Sequence, residues 1–213
     1  LEDVYLYYEA SVGGGIPVLR PIVQHFETNE VESIVGIVNG TTNFILSSME
    51  KEGLSYEAAL KIAQEKGFAE ADPTSDVEGH DAAYKLMILT RLAFGVNVTF
   101  DEVAKTGISR VTTAHMKMAS EHGYAIKLLA KALSDGEKVS LEVAPTFVPA
   151  NHLLAQVHYE NNAISVTGNA VDEVLFYGKG AGSLPTATSV LADVVEVLRR
   201  KVNGSAVETF GRV

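Results

Sequence analysis

The chain of 213 residues is 46% hydrophobic and 21% charged, so it can bury a core and is expected to form one soluble globular domain, or one domain with a small appendage. Its net charge of -10, with 17 Lys and Arg against 27 Asp and Glu, argues against a nucleic-acid-binding face. The sequence has no Cys, which excludes disulfides, thiolate zinc sites and dehydrogenases that work through a cysteine thiohemiacetal.

The N-terminal segment predicts a strand and then a tight turn. Residues 4–8 have the aromatic and β-branched content of a strand, and nothing before them resembles a signal sequence. Because no apolar run approaches the ~20 residues that a bilayer crossing needs, we expect a cytoplasmic protein. Gly13, Gly14 and Gly15 predict a tight turn, and Pro17 favours the first turn of a helix. A phosphate cradle is a poorer interpretation of this turn because it contains no Lys or Arg.

A second strand is predicted at residues 31–38 by its alternation and β-branched content. Residues 39–43 end that strand, and a helix is predicted from Phe44. The hydroxyl and amide groups at this helix start either cap the helix, through Thr41 or Thr42, or contact a ligand. The next helix is predicted to begin at Ser55 and to close at Gly67.

The stretch from Gly67 to Lys85 carries the strongest chemical signal, because carboxylates and one lysine gather where a loop becomes a helix. Asp76 is the predicted N-cap of that helix. Glu78, Asp81 and Lys85 fall at i, i+3 and i+7, so they are expected to share a face on which Asp81 and Lys85 pair. One interpretation is a solvated first turn whose acids favour the helix dipole. The apolar residues 86–89 favour another, a largely buried helix in which a lysine requires partners or a task.

The second half of the chain predicts mostly hairpins. Strands are expected at residues 124–133, 138–145, 162–167 and 171–177, with short helices at residues 101–105 and 114–122. The expected fold is α+β, with a mixed, largely antiparallel sheet of about six strands and helices on one face. The uncovered face is expected to be apolar enough to need a partner. His115 and His122 could share a helix face, but they lack the further ligands of a zinc site.

A glycine-rich turn at residues 178–182 precedes the last predicted helix, which runs through Leu198. Such a turn at a helix N-terminus binds anions, and Lys179 adds charge, so a contact to phosphate or nicotinamide is one interpretation and a flexible hinge is the other. No strand-G-x-G-x-x-G-helix unit occurs anywhere, so the chain has no Rossmann dinucleotide site of its own. Because Leu1 is not a start Met, we expect that the chain begins in mid-protein.

The pattern Ala63-x3-Gly67-Phe68-Ala69, Asp72-Pro73-x2-Asp76-Val77-x-Gly79-x-Asp81-x3-Lys85 resembles the signature of homoserine dehydrogenase at every defining position. Three further segments resemble blocks of the same family in the same order: residues 9–17, 36–45 and 178–186. The resemblance implies a substrate-binding and catalytic domain at residues 1–178. Residues 179–213 would then return to an NAD(P)-binding domain that lies elsewhere in the polypeptide, so this domain alone is expected to be inactive.

The resemblance also implies roles for individual residues in the interconversion of L-aspartate 4-semialdehyde and L-homoserine, a step of threonine and methionine biosynthesis. Lys85, with Asp81, would be the catalytic proton donor. The implied substrate-binding residues are Glu70, Asp76, Asp81, Gly40 and Thr41, and Gly180 and Gly182 would contact the NAD(P) cofactor. Backbone oxygens of Glu9, Val12, Gly14 and Ile16 would hold a monovalent cation, Na+, for which hard oxygen ligands are suited.

Two further implications concern partners and departures from the family. Homoserine dehydrogenases pair through their catalytic domains, so the resemblance implies a homodimer.

Many relatives have Tyr where this chain has Phe68, which removes any hydroxyl contact there. The alternative is a non-catalytic dimerisation or cation-binding domain, in which Glu70, Asp72, Asp76 and Glu78 hold Ca2+, although their spacing departs from a calcium loop.

Overall fold

The computed structural model describes residues 6–203, and a six-stranded mixed sheet carries most of its core. Its strands are β1 (Val31–Ile37), β2 (Ala104–Lys105), β3 (Tyr124–Ser134), β4 (Val139–Pro149), β5 (Asn161–Gly168) and β6 (Asp172–Lys179). The helices are α1 (Leu19–Gln24), α2 (Gly40–Glu52), α3 (Tyr56–Glu65), α4 (Thr74–Val77), α5 (His80–Phe94), α6 (Thr113–Glu121) and α7 (Ser183–Asn203). Single 3-10 turns lie at Glu9–Ser11, Phe26–Thr28, Phe100–Glu102 and Leu153–Gln156.

The strand order is β2-β4-β3-β1-β5-β6, and every neighbouring pair is antiparallel except β2 with β4. The α+β fold and the largely antiparallel sheet of about six strands are therefore confirmed. The β3–β4 hairpin pairs from Tyr124 with Pro149 to Ser134 with Val139. Its turn is closed by Asp135, whose Oδ1 accepts from the N–H groups of Glu137 and Lys138 at 3.0 and 2.8 Å.

The two faces of the sheet are covered differently. On one face, side chains such as Ile126, Leu128 and Ile164 pack in one apolar cluster with the buried residues of the helices. The other face carries a smaller cluster, which includes Leu129 and is covered in part by the 3-10 turn Leu153–Gln156. Helices on one face are thus confirmed. The second face leaves Leu133 and Tyr177 with 45% and 59% of their surface exposed.

The six strands are not the six that the sequence predicts. Residues 4 and 5 of the predicted first strand lie outside the described residues, and residues 6–8 form no strand. The strand that brings the number to six is β2, which lies where a helix was predicted at residues 101–105. Only the 3-10 turn Phe100–Glu102 is helical in this segment. The edge of β4 explains the difference, because its unpaired backbone groups bind the passing chain, as the bond from Thr106 N to Val143 O at 2.8 Å shows.

Two predicted helix caps are wrong, and both errors concern the site. Helix α2 begins at Gly40 and is capped by Asn39, whose Oδ1 accepts from Thr42 N at 2.9 Å, so neither predicted threonine is the cap. Helix α5 is preceded by Gly79, whose φ of 80° is a left-handed conformation that glycine adopts without strain. Asp76, the predicted cap of α5, lies one turn earlier in α4. Its carboxylate is therefore available for other partners.

The last helix matches its prediction and ends the described chain. Helix α7 leaves Leu184, Leu191 and Leu198 exposed in a row of large apolar side chains. Within residues 6–203, none of the helices combines the length and the apolar character that a membrane crossing requires.

Lys127 is a fully buried cation in β3, a strand whose sequence does not mark it as a special position. Its Nζ donates to Val157 O at 2.6 Å and to Asn43 Oδ1 at 3.5 Å. Desolvation by burial is the largest influence on this group, and it lowers the pKa of Lys127 to about 8. Lys127 and Asn43 together hold the segment that leads into β5, because Asn43 Nδ2 donates to the carbonyls of Val157 and Tyr159 at 3.2 and 2.9 Å.

Replacement of Lys127 by Met is expected to remove a pH dependence of stability. Between pH 8 and 10.5 the unfolded chain binds a proton at Lys127 that the folded chain has released, so the free energy of unfolding rises with pH over this range. The rise from this group is about 3 kcal/mol. Chemical denaturation of both proteins from pH 7 to 10.5 measures it. The exposed variant Lys117→Met is the control, and parallel curves for wild type and Lys127→Met would contradict the expectation.

Candidate active site

A buried side-chain amide joins the two acids that the sequence placed near the helix start. Asn39, at the N-terminus of α2, donates from Nδ2 to Asp76 Oδ1 at 2.7 Å and to Asp81 Oδ2 at 2.8 Å. Desolvation raises the pKa of Asp76, and the bond from Asn39 opposes that shift. The place of Asn39 between a predicted strand and a predicted helix marks it only as a helix cap, and its bonds to the two acids have no signal in the sequence.

Lys85 is held at the edge of this network. Its Nζ donates to Asp81 Oδ2 at 2.7 Å, which confirms the predicted pair at i and i+4, and to Val38 O at 3.0 Å. Its side chain is 21% exposed, so the ammonium lies in the surface of the site and does not extend into bulk solvent. These two bonds use two of the three N–H groups of the ammonium. One N–H group is left for a ligand.

The other predicted substrate residues surround this network at different depths. Gly40 is the first residue of α2, and a Cβ placed on it would lie 3.0 Å from Glu160 O. Thr41 donates its hydroxyl to Phe68 O at 2.6 Å, so the hydroxyl is already bound within the protein. Glu70 is exposed in the loop after α3, where Gln64 Nε2 donates to its backbone oxygen at 3.0 Å.

Glu78 was predicted to share a helix face with Asp81 and Lys85, and this prediction is wrong. It precedes the Gly79 cap, and a Cβ placed on Gly107 would lie 2.7 Å from Glu78 Oε2. Asp72 is also directed elsewhere, since its Oδ1 accepts from Thr74 N and Oγ1 at 3.1 and 2.6 Å. Within the described residues, no three His, Cys, Asp or Glu side chains are placed to hold a metal ion. The structure therefore offers no support for the calcium alternative.

The two glycine turns, which are far apart in the sequence, lie against each other. A Cβ on Gly14 would lie 2.3 Å from Gly180 O, and a Cβ on Gly15 would lie 2.6 Å from Pro185 Cβ. Gly15 N donates to Lys179 O at 3.1 Å. The backbone approach is so close that only glycine fits at these positions. The predicted cation turn and the predicted cofactor turn thus form one structure, with Gly182 (φ 120°) opening α7.

Glu9 ties the N-terminal turn to both neighbouring helices. Its carboxylate is buried and accepts from the N–H groups of Val18, Leu19 and Arg20 at 2.7, 2.7 and 2.9 Å, so it caps α1. Burial raises the pKa of Glu9, and the three N–H groups oppose that shift. Asp193 of α7 accepts from Glu9 N at 2.9 Å and from Arg20 Nη2 at 2.8 Å. The side chain of Glu9 is therefore committed, and only backbone oxygens of this turn are suited to a cation.

Among the predicted cation oxygens, Gly14 O already accepts from Ser189 Oγ at 2.7 Å. A carbonyl oxygen has two lone pairs, so a second partner remains possible. Val12 and Ile16 are buried in the same turn, where φ is 75° at Gly13 and 55° at Gly14. The donor set, which consists of hard backbone oxygens in a tight turn, is suited to a small monovalent cation.

Comparison with known proteins shows the family to which this sequence belongs. The sequence model described as homoserine dehydrogenase matches residues 17–195. The chain belongs to the homoserine dehydrogenase family. The homoserine dehydrogenase of Bacillus subtilis (strain 168) is 50% identical over 205 residues, which make up 96% of this chain and 47% of that protein.

Solved structures of homoserine dehydrogenases have a fold similar to that of this chain. The homoserine dehydrogenase from Thiobacillus denitrificans matches with a TM-score of 0.91 at 45% identity, over 94% of this chain and 46% of that chain. A hyperthermophilic archaeal homoserine dehydrogenase mutant in complex with NADPH matches with a TM-score of 0.76 at 29% identity, over 91% of this chain and 55% of that chain. This chain therefore spans about half the length of the homoserine dehydrogenases that it matches.

Proposed function

We propose that this chain is the substrate-binding and catalytic part of an oxidoreductase that interconverts L-homoserine and L-aspartate 4-semialdehyde with NAD(P). The proposal rests on the environment of Lys85. Its ammonium is held by Asp81 Oδ2 and Val38 O, and its third N–H group is left for a ligand. Asn39 and Asp76 lie beside it as further polar groups. A fixed proton donor next to acids and a helix N-terminus suits an amino acid whose side chain is an alcohol or an aldehyde.

The proton chemistry follows from Lys85. A bound nicotinamide cofactor would provide the hydride chemistry, giving hydride to the aldehyde carbon or taking it from the alcohol carbon. In the reducing direction Lys85 stabilises the negative charge that develops on the substrate oxygen and then protonates that oxygen. In the oxidising direction its amine takes the hydroxyl proton. Asp81 keeps the ammonium directed at the site through the bond of 2.7 Å.

The amino-acid end of the substrate is assigned to the start of α2 and the acids around it. Glu70, Asp76 and Asp81 suit the substrate ammonium, because charge-assisted bonds between carboxylate and ammonium are short and strong. The N–H groups of Gly40 and Thr41 are in the first turn of a helix of 13 residues. Such groups have no partner within their own helix and favour an anion, so they suit the substrate carboxylate.

The glycine turn before α7 is assigned to the cofactor. Gly180 and Gly182 present bare backbone where any side chain at Gly180 would collide with Asn162. The exposed apolar residues of α7, among them Leu191 and Leu198, favour a further packing partner. We therefore assign residues 179–213 to the return of the chain toward a nucleotide-binding domain, and residues 1–178 to the substrate.

The turn at residues 9–16 is assigned to a structural Na+, held by backbone oxygens of Glu9, Val12, Gly14 and Ile16. Because this turn packs against Gly180, an ion bound in it would also stabilise the cofactor turn. Addition of Na+ is expected to raise the unfolding midpoint of the complete enzyme. Equal midpoints in NaCl and in tetramethylammonium chloride would remove the ion from the proposal.

The uncovered face of the sheet is assigned to a homodimer. Leu133 and Tyr177 are exposed on this face, Leu133 in β3 beside the buried Leu129 and Tyr177 in the edge strand β6. Large exposed apolar side chains on a sheet face favour association. Sedimentation of the complete enzyme measures the assembly, and a monomer at micromolar concentration would contradict the assignment.

An assay of the complete enzyme, in which this chain is joined to a nucleotide-binding domain, tests the function. Homoserine is expected to drive reduction of NAD(P)+, followed by the absorbance of the reduced nicotinamide. 4-Hydroxybutyrate, which lacks the ammonium group that the acids would bind, is expected to be a poor substrate and serves as the control. An absence of homoserine-dependent reduction with both NAD+ and NADP+ would contradict the proposal.

A further inference from the structure

Asn162, the second residue of β5, has a buried polar atom without a partner. The residue is only 1% exposed, and its Oδ1 makes no hydrogen bond within the described part of the chain. A buried acceptor that is left unpaired is unfavourable, and most buried polar atoms in proteins do have partners. The oxygen at this position therefore has lone pairs that can accept a donor from outside the described chain.

The position of Asn162 connects the two halves of the proposed site. A Cβ on Gly180 would lie 2.1 Å from Asn162 Nδ2, and a Cβ on Gly40 would lie 3.6 Å from Asn162 Oδ1. The side-chain amide thus lies between the first residue of the substrate helix and the cofactor turn. A side chain at Gly180 would collide with it, whereas a Cβ at Gly40 would only touch it.

The sheet register brings Asn162 close to the anchor of Lys85. Strands β1 and β5 are antiparallel, and Ile37 pairs with Ala163. Val38 and Asn162 each lie one residue beyond that pair, at the same end of the two strands. Val38 O is the carbonyl to which Lys85 donates. The unpaired oxygen and the proposed proton donor therefore belong to the same end of the sheet.

The backbone that leads into Asn162 is held in place by side chains of α2 before any ligand arrives. Asn43 Nδ2 donates to Asn161 O at 3.1 Å and to Tyr159 O at 2.9 Å. Tyr159 N donates to Ser47 Oγ at 2.9 Å. Both donor and acceptor side chains come from α2, the helix that begins at Gly40. A group that is held in this way binds a ligand without a further loss of conformational freedom.

We propose that Asn162 is a ligand-binding residue of this site, whose Oδ1 accepts a hydrogen bond from an N–H group of a bound ligand. Two sources of that group are present in the proposed reaction: the α-ammonium of the amino acid and the carboxamide of the nicotinamide. An amide oxygen accepts from either without introducing a charge. The inference rests on the proposed function and adds to it a residue between the two binding regions.

The test uses Asn162→Leu in the complete enzyme, because Leu has a similar volume and no polar atom. The KM of the ligand that Asn162 binds is expected to rise about tenfold, the effect of one lost hydrogen bond. A rise in the KM of homoserine assigns the ammonium, and a rise in the KM of NAD(P) with a matching rise in the Kd of NAD(P)H by fluorescence assigns the carboxamide. The unfolding midpoint of the ligand-free enzyme is expected to change little, since no protein bond to Oδ1 is lost.

Ser165→Ala is the matched control. Ser165 lies on the same strand and is buried, but its Oγ donates to Glu173 Oε1 at 2.6 Å, away from the site. Both KM values should stay unchanged in this variant. Both KM values within twofold of wild type in Asn162→Leu would overturn the inference. A large fall in the ligand-free unfolding midpoint would overturn it as well, by assigning Asn162 a structural role. An inactive wild-type enzyme would instead contradict the proposed function itself.

Discussion

Lys85→Ala in the complete enzyme is expected to lower kcat by on the order of 10²-fold or more. The substitution removes the ammonium that lies 2.7 Å from Asp81 and 3.0 Å from Val38 O, and no other Lys or Arg side chain is bonded to this network of Asn39, Asp76 and Asp81 within the described residues. Without it the oxygen that receives negative charge must be protonated by water. Steady-state kinetics with homoserine and NAD(P)+ measures the loss.

The control for this variant is Lys117→Ala. Lys117 also pairs with an acid four residues away on a helix, at 3.8 Å from Glu121, but both side chains are more than half exposed. Its removal should leave kcat unchanged. Lys85→Arg separates the effect of positive charge from that of proton transfer, because a guanidinium keeps the charge and cannot give up its proton near neutral pH. Near-normal turnover of Lys85→Ala would remove this residue from the role of proton donor.

Gly180→Ala is expected to destabilise the protein by about 1–3 kcal/mol, the typical cost of overpacking. The added Cβ would lie 2.1 Å from Asn162 Nδ2, and Asn162 is held in place through the neighbouring backbone. Gly14 also packs against the carbonyl of Gly180, which limits how far the turn can shift. Chemical denaturation measures the stability, and the Kd of NAD(P)H in the complete enzyme is expected to rise with it.

Gly178→Ala is the matched control for this substitution. Gly178 lies two residues earlier, in β6, and the nearest atom to its Cβ would be Ile16 Cγ1 at 3.3 Å, a looser contact than the 2.1 Å at Gly180. A loss of less than about 1 kcal/mol is expected there, since a small side-chain adjustment relieves the contact. Equal stabilities of the two variants would show that the close approach of Gly180 and Asn162 does not constrain the turn.

Several features of the fold could be predicted because they depend on residues near each other in the sequence. Ser55 caps α3 through Ala58 N at 3.3 Å, and Gly67 and Gly95 follow their helices with φ of 76° and 69°. The Asp81–Lys85 pair follows from a spacing of four on one helix. The predicted helix at residues 101–105 failed because a distant strand edge provided partners that outweigh local preference.

The active-site assignment was predicted only in part, for the same reason. Asp76, Asp81 and Lys85 could be singled out from their spacing and from the family resemblance. Asn39 could not, because its role depends on bonds to acids 37 and 42 residues away. Asn162 has no local signal at all: it becomes notable only when Gly40 and Gly180 are seen on either side of it.

The sequence by itself determined the family, the type of fold and the position of most helix ends and hairpins, since these follow from motif spacing, periodicity and turn residues within a few positions of each other. The tertiary structure alone decided that the two glycine turns touch, that Lys127 is a buried cation near pKa 8, that Asn39 joins Asp76 to Asp81, and that Asn162 lies between the proposed substrate and cofactor regions. The physical reason is that backbone approach, desolvation and long-range hydrogen bonds depend on which elements pack together, and that packing is a property of the whole core.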